Sequence, residues 1–161
     1  LGCRADEPSR AATVKKLAQE LGDSTVTGDY ANVIDHTYDS FVKVMGGREN
    51  AIKVTESAME KMKAQGVALK TFEVGDPGEF LAEGSNTFVV VPTTIEMAIP
   101  GGKMLSKSYL LGISPDEGKT WKFVDGRGIT KHKEALDKFL PKLPAGLKLP
   151  DEKQPEIVKD K

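Results

Sequence analysis

Ser114-Pro115-Asp116-Glu117-Gly118-Lys119-Thr120-Trp121 reads as a tight turn between two strands. Gly118 can take a positive φ at no steric cost, Asp116 can accept the amide hydrogens of the turn, and Trp121 can pin the returning strand by apolar burial. Outward from the turn, residues 104–113 form the strand that enters it and residues 120–125 the strand that leaves. Upstream, Asn86 to Ile99 alternates Phe88, Val90, Pro92, Thr94, Glu96 and Ala98 against Val89, Val91, Thr93, Ile95, Met97 and Ile99, the period of a long strand. Pro92 has no N–H to give a ladder, so a bend, bulge or edge position is expected there. Val67 to Val74 supplies another strand, with turns at Gly75-Asp-Pro-Gly78 and Pro100-Gly-Gly102.

The first third of the chain has helical spacing instead. Val14, Leu17, Ala18 and Leu21 share one face of a helix over 9–27. Tyr30, Val33, Ile34, Thr37, Tyr38, Phe41 and Met45 line one side of a second, which starts at Gly28-Asp29 and stops at Gly46-Gly47. A third helix over 48–65 turns Ile52, Thr55, Met59 and Met62 inward, its methionines reading as adaptable packing. A short helix is expected over 130–140, closing through Leu136, Phe139 and Leu140. Pro141, Pro144, Pro150 and Pro155 then interrupt regular structure, so 141–150 is expected along the surface and 151–161 to be least constrained. The fold class is therefore α+β, with three N-terminal helices packed on an antiparallel sheet.

The organisation expected from this is a flexible tether over 1–8, a single domain over 9–140 and a Pro-rich, charged extension over 141–161. A chain of 161 residues can bury roughly two-thirds of its extended surface. The 23 Lys and Arg against 24 Asp and Glu give no electrostatic case for nucleic acid. Lys131, His132 and Lys133 alternate with nearby acids, as on a solvated helix face. The run Phe88 to Val91 is too short to span a membrane.

The Ser-x-Asp-x-Gly-x-Thr-Trp spacing of residues 114–121 resembles the Asp-box of sialidases and related repeat proteins, in which the box is structural. A single copy argues against a propeller. Gly28-Asp29-Tyr30, Asp35-His-Thr-Tyr38 and Gly46-Gly47, followed by a helix, a strand near 67–74 and hairpins through Trp121-Lys-Phe123-Val-Asp125-Gly126, resemble the nuclear transport factor 2-like superfamily over residues 9–140. That resemblance implies a curved sheet wrapped round the helices as a cone with a pocket. The superfamily includes enzymes, binding proteins and proteins without activity, so it does not select the chemistry. Similar bacterial members, themselves poorly characterised, carry Thr-Tyr-Pro where this chain has Thr37-Tyr38-Asp39. Leu1-Gly2-Cys3 resembles the processed edge of a bacterial lipoprotein signal, which implies a cell-envelope protein attached to the membrane by lipid on Cys3.

Strong reaction signatures are missing from the sequence: there is no phosphate-binding glycine loop, no Gly-x-Ser-x-Gly elbow and no compelling zinc cluster. No cofactor and no metal are expected. His36 would be an i,i+3 neighbour of Asp39 on a continuous helix. The ligand-binding candidates are Tyr38, Glu96, Tyr109 and Asp125. Glu96 interrupts an apolar or small-residue strand face, and if that face is buried it needs a donor such as Tyr109, Lys107 or water. Tyr38 shares the inward helix face, so Tyr38 and Glu96 are expected in one cavity, with Asp125 at its mouth. Ser114, Asp116, Gly118, Thr120 and Trp121 are assigned to the turn.

Two function classes stay open. One is a non-catalytic envelope domain binding a small ligand or a protein partner. The alternative is a small-molecule lyase, isomerase or hydrolase using polar groups in the cone pocket. A homodimer is expected, because one face of an open sheet needs cover.

Overall fold

A computed structural model describes residues 7–131, 134 and 137–161. Cys3, residues 1–6 of the tether, His132 and Leu136 lie outside the described residues. Four helices precede the sheet: α1 (Glu7–Thr27), α2 (Tyr30–Asp35), α3 (Asp39–Val44) and α4 (Arg48–Ala64). The strands are β1 (Ala68–Val74), β2 (Leu81–Glu83), β3 (Asn86–Ile99), β4 (Gly102–Ser114), β5 (Lys122–Asp125) and β6 (Glu156–Lys159), with α5 (Gly126–Lys131) after β5. The sheet is antiparallel, ordered β1-β3-β4-β5, with β2 also on β3 and β6 also on β4. The helices pack against one face of this curved antiparallel sheet, the α+β class expected.

The hairpin of β3 and β4 is the spine, paired without a break from Thr87 with Ser114 to Ile99 with Gly102. Its period of two separates two apolar faces. Val89, Val91, Ile95, Met97 and Leu110 face α1, where they bury Val14, Ala18 and Leu21. Phe88, Tyr109, Leu111 and Ile113 face the other way and are covered by Leu140, Leu143, Leu147 and Leu149. The C-terminal segment thus covers in cis the sheet face for which a second copy was invoked.

Pro92 lies inside the regular β3–β4 ladder, not at a bulge. Its carbonyl accepts from the Gly75 amide at 2.8 Å, so its nitrogen points to the same side, where β1 has ended at Val74 and no donor is required. The bulge falls in β1 instead, between Leu69 and Thr71. It lets both Leu69 and Phe72, which plain alternation would send to opposite faces, point toward the helices. Gln19 of α1 satisfies the outer edge of β1: its amide donates to the Phe72 carbonyl at 2.8 Å and its oxygen accepts from the Val74 amide at 3.1 Å.

Three expectations are corrected. The second helix is broken into α2 and α3, because residues 36–38 leave the helix to bond the edge of β5. The Tyr38 amide donates to the Phe123 carbonyl and the Phe123 amide to the His36 carbonyl. The helix expected over 130–140 starts earlier, as α5 at Gly126; Glu134 is also helical, and residues 137–140 are turn and bend. The end expected to be least constrained is not without regular structure: its exposed residues Glu156–Lys159 form β6, paired with Gly102–Leu105.

The turn at 114–121 is closed by side chains. The buried Ser114 hydroxyl donates to Asp116 Oδ1 and accepts the Gly118 amide, both at 2.8 Å. Asp116 accepts the Thr120 amide at 2.8 Å and its hydroxyl at 2.7 Å, and Trp121 Nε1 donates to the Gly118 carbonyl at 3.1 Å.

Candidate functional site

Between the helices and the inner sheet face lies a cavity of about 350 Å³. Five helices and four strands line it, and each contribution follows from local geometry. From α1 come Leu21 and Thr25, one turn apart on the buried face; from α2 and the segment after it come Val33 and Thr37. Phe72, Ile95 and Leu110 form the sheet wall. Met45, Met59, Met62 and Met97 also line it, four of the five methionines in the chain. Unbranched thioether side chains fill irregular space and repack readily, which suits a wall that accommodates differing apolar shapes.

The charged groups of the lining are Asp125 and Arg127. Asp125 ends β5 in register with Leu110, which puts it on the inner face, and it caps α5 by accepting the Arg127 amide at 2.8 Å. The guanidinium of Arg127 returns to the same carboxylate, Nε to Oδ1 and Nη2 to Oδ2, both at 3.2 Å. Both side chains remain part-exposed, 42% and 35%, so the pair is a solvent-connected polar end on an apolar chamber. Thr25 and Thr37 add hydroxyls, but each donates to its own helix, to the Leu21 and Val33 carbonyls at 2.8 Å.

Of the four ligand-binding candidates, Asp125 lines this cavity. Tyr38 and Tyr109 pack in the apolar cluster on the opposite sheet face. Glu96 shares the strand parity of Phe88, so it too faces away, where its carboxylate lies 3.6 Å from Lys103 Nζ. The shared chamber expected for Tyr38 and Glu96 is therefore not formed, and the sheet stands between Glu96 and the helices. Burial raises the Tyr109 hydroxyl above its ordinary range, and the nearby Asp125 charge adds to the effect. Its ring lies against Gly126, where a Cβ would come within 2.5 Å.

His36 does not pair with Asp39. Its Nδ1 lies 2.8 Å from the Asn32 carbonyl and its Nε2 lies 3.5 Å from Glu20 Oε2. Arg127 was missed by sequence reasoning, although Asp125-Gly126-Arg127 at a strand end carried the signal: opposite charges two residues apart across a glycine that packs on an aromatic ring. Among the described residues no three or more His, Cys, Asp or Glu converge as metal ligands, and no helix is long and apolar enough to cross a membrane.

No family model matches the chain, and no curated protein matches it. Among solved structures it is similar to an M. tuberculosis LEH-like epoxide hydrolase, with 14% identity over 80% of this chain and 97% of that chain and a TM-score of 0.35.

Proposed function

We propose that the protein binds a small, largely apolar molecule in the chamber between the helices and the sheet, with the polar end of the ligand against Asp125 and Arg127. The observation that carries this reading is an apolar cavity of about 350 Å³ whose charged groups sit together at one end. That volume lies within the ~300–1,000 Å³ usual for ligand pockets. Apolar walls supply the driving force, and the ion pair supplies orientation, Arg127 donating and Asp125 accepting. The turn at 114–121 has a structural role in this reading, as an Asp-box-like clamp. The setting we propose is the bacterial cell envelope, with lipid on Cys3 of the mature chain.

A second reading, a lyase, isomerase or hydrolase, draws on the same pair. A carboxylate at the end of an apolar chamber is placed to accept a proton from a bound substrate, with Arg127 beside it to donate to a developing negative oxygen. Tyr38 and Glu96 have no part in it.

The test is displacement of the environment-sensitive dye N-phenyl-1-naphthylamine by medium-chain alcohols and ketones. Val33→Phe, which places a ring in the chamber from α2, should abolish dye binding, while Phe139→Ser on the exterior should leave it unchanged. Equal dye binding by Val33→Phe and the unsubstituted protein would overturn the assignment. Turnover of small esters or lactones that is lost in Asp125→Asn, with dye binding retained, would select the enzymatic reading.

A further inference from the structure

A second recess, of about 280 Å³, sits over the Ser114–Trp121 turn and shares no lining residue with the apolar chamber. Its wall combines Arg10 of α1, Phe80, the hairpin residues Ser85, Asn86 and Thr87, and Glu117. Arg10 is held by its stem: its Cδ occupies the space that a Cβ on Gly118 would need, 2.4 Å away. Its guanidinium lies 4.9 Å above the Phe80 ring, which itself packs on Trp121 at 5.8 Å. The Arg10 Nε is buried and has no hydrogen-bond partner among the described residues. A guanidinium nitrogen withdrawn from water without an acceptor is costly, and a carboxylate is the group that its planar donor fork fits best.

Glu117 sets the sign of the rest of the ligand. Among the described residues it makes no ion pair with Arg10, although both line one recess. Its backbone has φ 61°, a conformation glycine would adopt more cheaply. A simple anion drawn to Arg10 would be opposed by the Glu117 carboxylate, whereas a molecule carrying both charges answers both groups. We propose that this recess binds a free amino acid, its carboxylate on Arg10, its ammonium on Glu117 and its side chain along Phe80.

The sole tryptophan, Trp121, touches Phe80 and so reports on the recess. Titration of the full chain with L-phenylalanine should give a saturable change in Trp121 fluorescence. Phenethylamine and 3-phenylpropionate, each lacking one charge, should bind at least about tenfold more weakly, the cost of one charge-assisted contact. Glu117→Gln, a change on an exposed turn, should weaken L-phenylalanine while improving 3-phenylpropionate. Val33→Phe, which fills the other chamber, should alter neither. Equal binding of 3-phenylpropionate and L-phenylalanine, or no effect of Glu117→Gln, would overturn the amino acid assignment. Absence of saturable binding by all three compounds, checked by calorimetry, would overturn the site.

Discussion

Thr37 and Phe123 form a parallel bridge that extends the sheet beyond β5. Its flanking bonds, Tyr38 amide to Phe123 carbonyl at 2.9 Å and Phe123 amide to His36 carbonyl at 2.8 Å, replace helical bonds that a continuous helix over 30–45 would have made. The exchange keeps Val33 and Thr37 on the cavity side and turns Tyr38 across the sheet edge into the opposite cluster. One backbone break therefore decides which aromatic residues can reach a ligand.

Position 39 tests that break. Asp39 is the first residue of α3, and Tyr38 before it has φ −58° and ψ 129°, the extended conformation that a following proline requires. Asp39→Pro should be neutral or stabilise by up to about 1 kcal/mol through the unfolded chain, less a few tenths for the lost helix-terminal charge. In an unbroken helix the same change would cost about 3 kcal/mol or more. Urea denaturation separates these outcomes cleanly.

Gly22 is the contact point of α1 on β1. A Cβ there would meet Phe72 Cδ1 at 2.5 Å and Cγ at 2.9 Å, and the ring is buried in the core, so it has no room to yield. Gly22→Ala should destabilise, the overpacking cost of about 1–3 kcal/mol outweighing a helix-propensity gain of at most ~1 kcal/mol. Combined with Phe72→Leu, the alanine should cost less than it does alone. A double-mutant cycle with no coupling would contradict the contact.

How far the sequence could be read follows from the same residues. The strong period of two in 86–99 made β3 legible, but Phe88-Val89-Val90-Val91 is apolar on both faces, so alternation could not say which face meets the helices. Glu96 was therefore assigned to the cavity when it lies across the sheet from it. Thr37 and Tyr38 continue a helical spacing, which hid the break at 36–38, since the competing partner Phe123 is distant in sequence. The bulge at Lys70 leaves no mark beyond Leu69 and Phe72 being three apart. Asp125 was legible as a polar group ending a strand.

Acid should reveal the clamp at 114–121. Burial would push the Asp116 carboxyl up, but the Thr120 hydroxyl and amide, the Ser114 hydroxyl and the Lys119 amide together hold it below its ordinary range. A group depressed in the folded state contributes stability that is present above the unfolded pKa of ~3.9 and is lost as pH falls through the lower folded value. Asp116→Asn should therefore be less stable at neutral pH and lose less on acidification below about pH 4. Identical pH slopes for the two proteins would refute the assignment.

β6 should be the weakest part of the sheet. All four of its residues are exposed, Ile157 by 60%, so it is held by backbone pairing to Gly102–Leu105 and by the Asp160 amide on the Gly101 carbonyl at 2.9 Å. Ordering backbone costs about 1–2 kcal/mol per residue, and hydrogen bonds return roughly 0.5–1.5 kcal/mol each, so little net stability remains. Amides of 156–160 should accordingly exchange by local opening, far faster than those of Val89 and Val91 in the core. Gly102 permits the pairing, because a Cβ there would fall 2.2 Å from the Val158 carbonyl oxygen. Gly102→Ala should release β6, speeding exchange at 156–160 while shifting the global denaturation free energy by less than about 1 kcal/mol. The uncovered β4 edge is then a template for another strand, and the variant should self-associate at concentrations where the parent does not. Unchanged exchange at 156–160 in Gly102→Ala, or core amides that exchange as fast as those of β6, would show that the C-terminal strand is not the separable edge element its exposure implies.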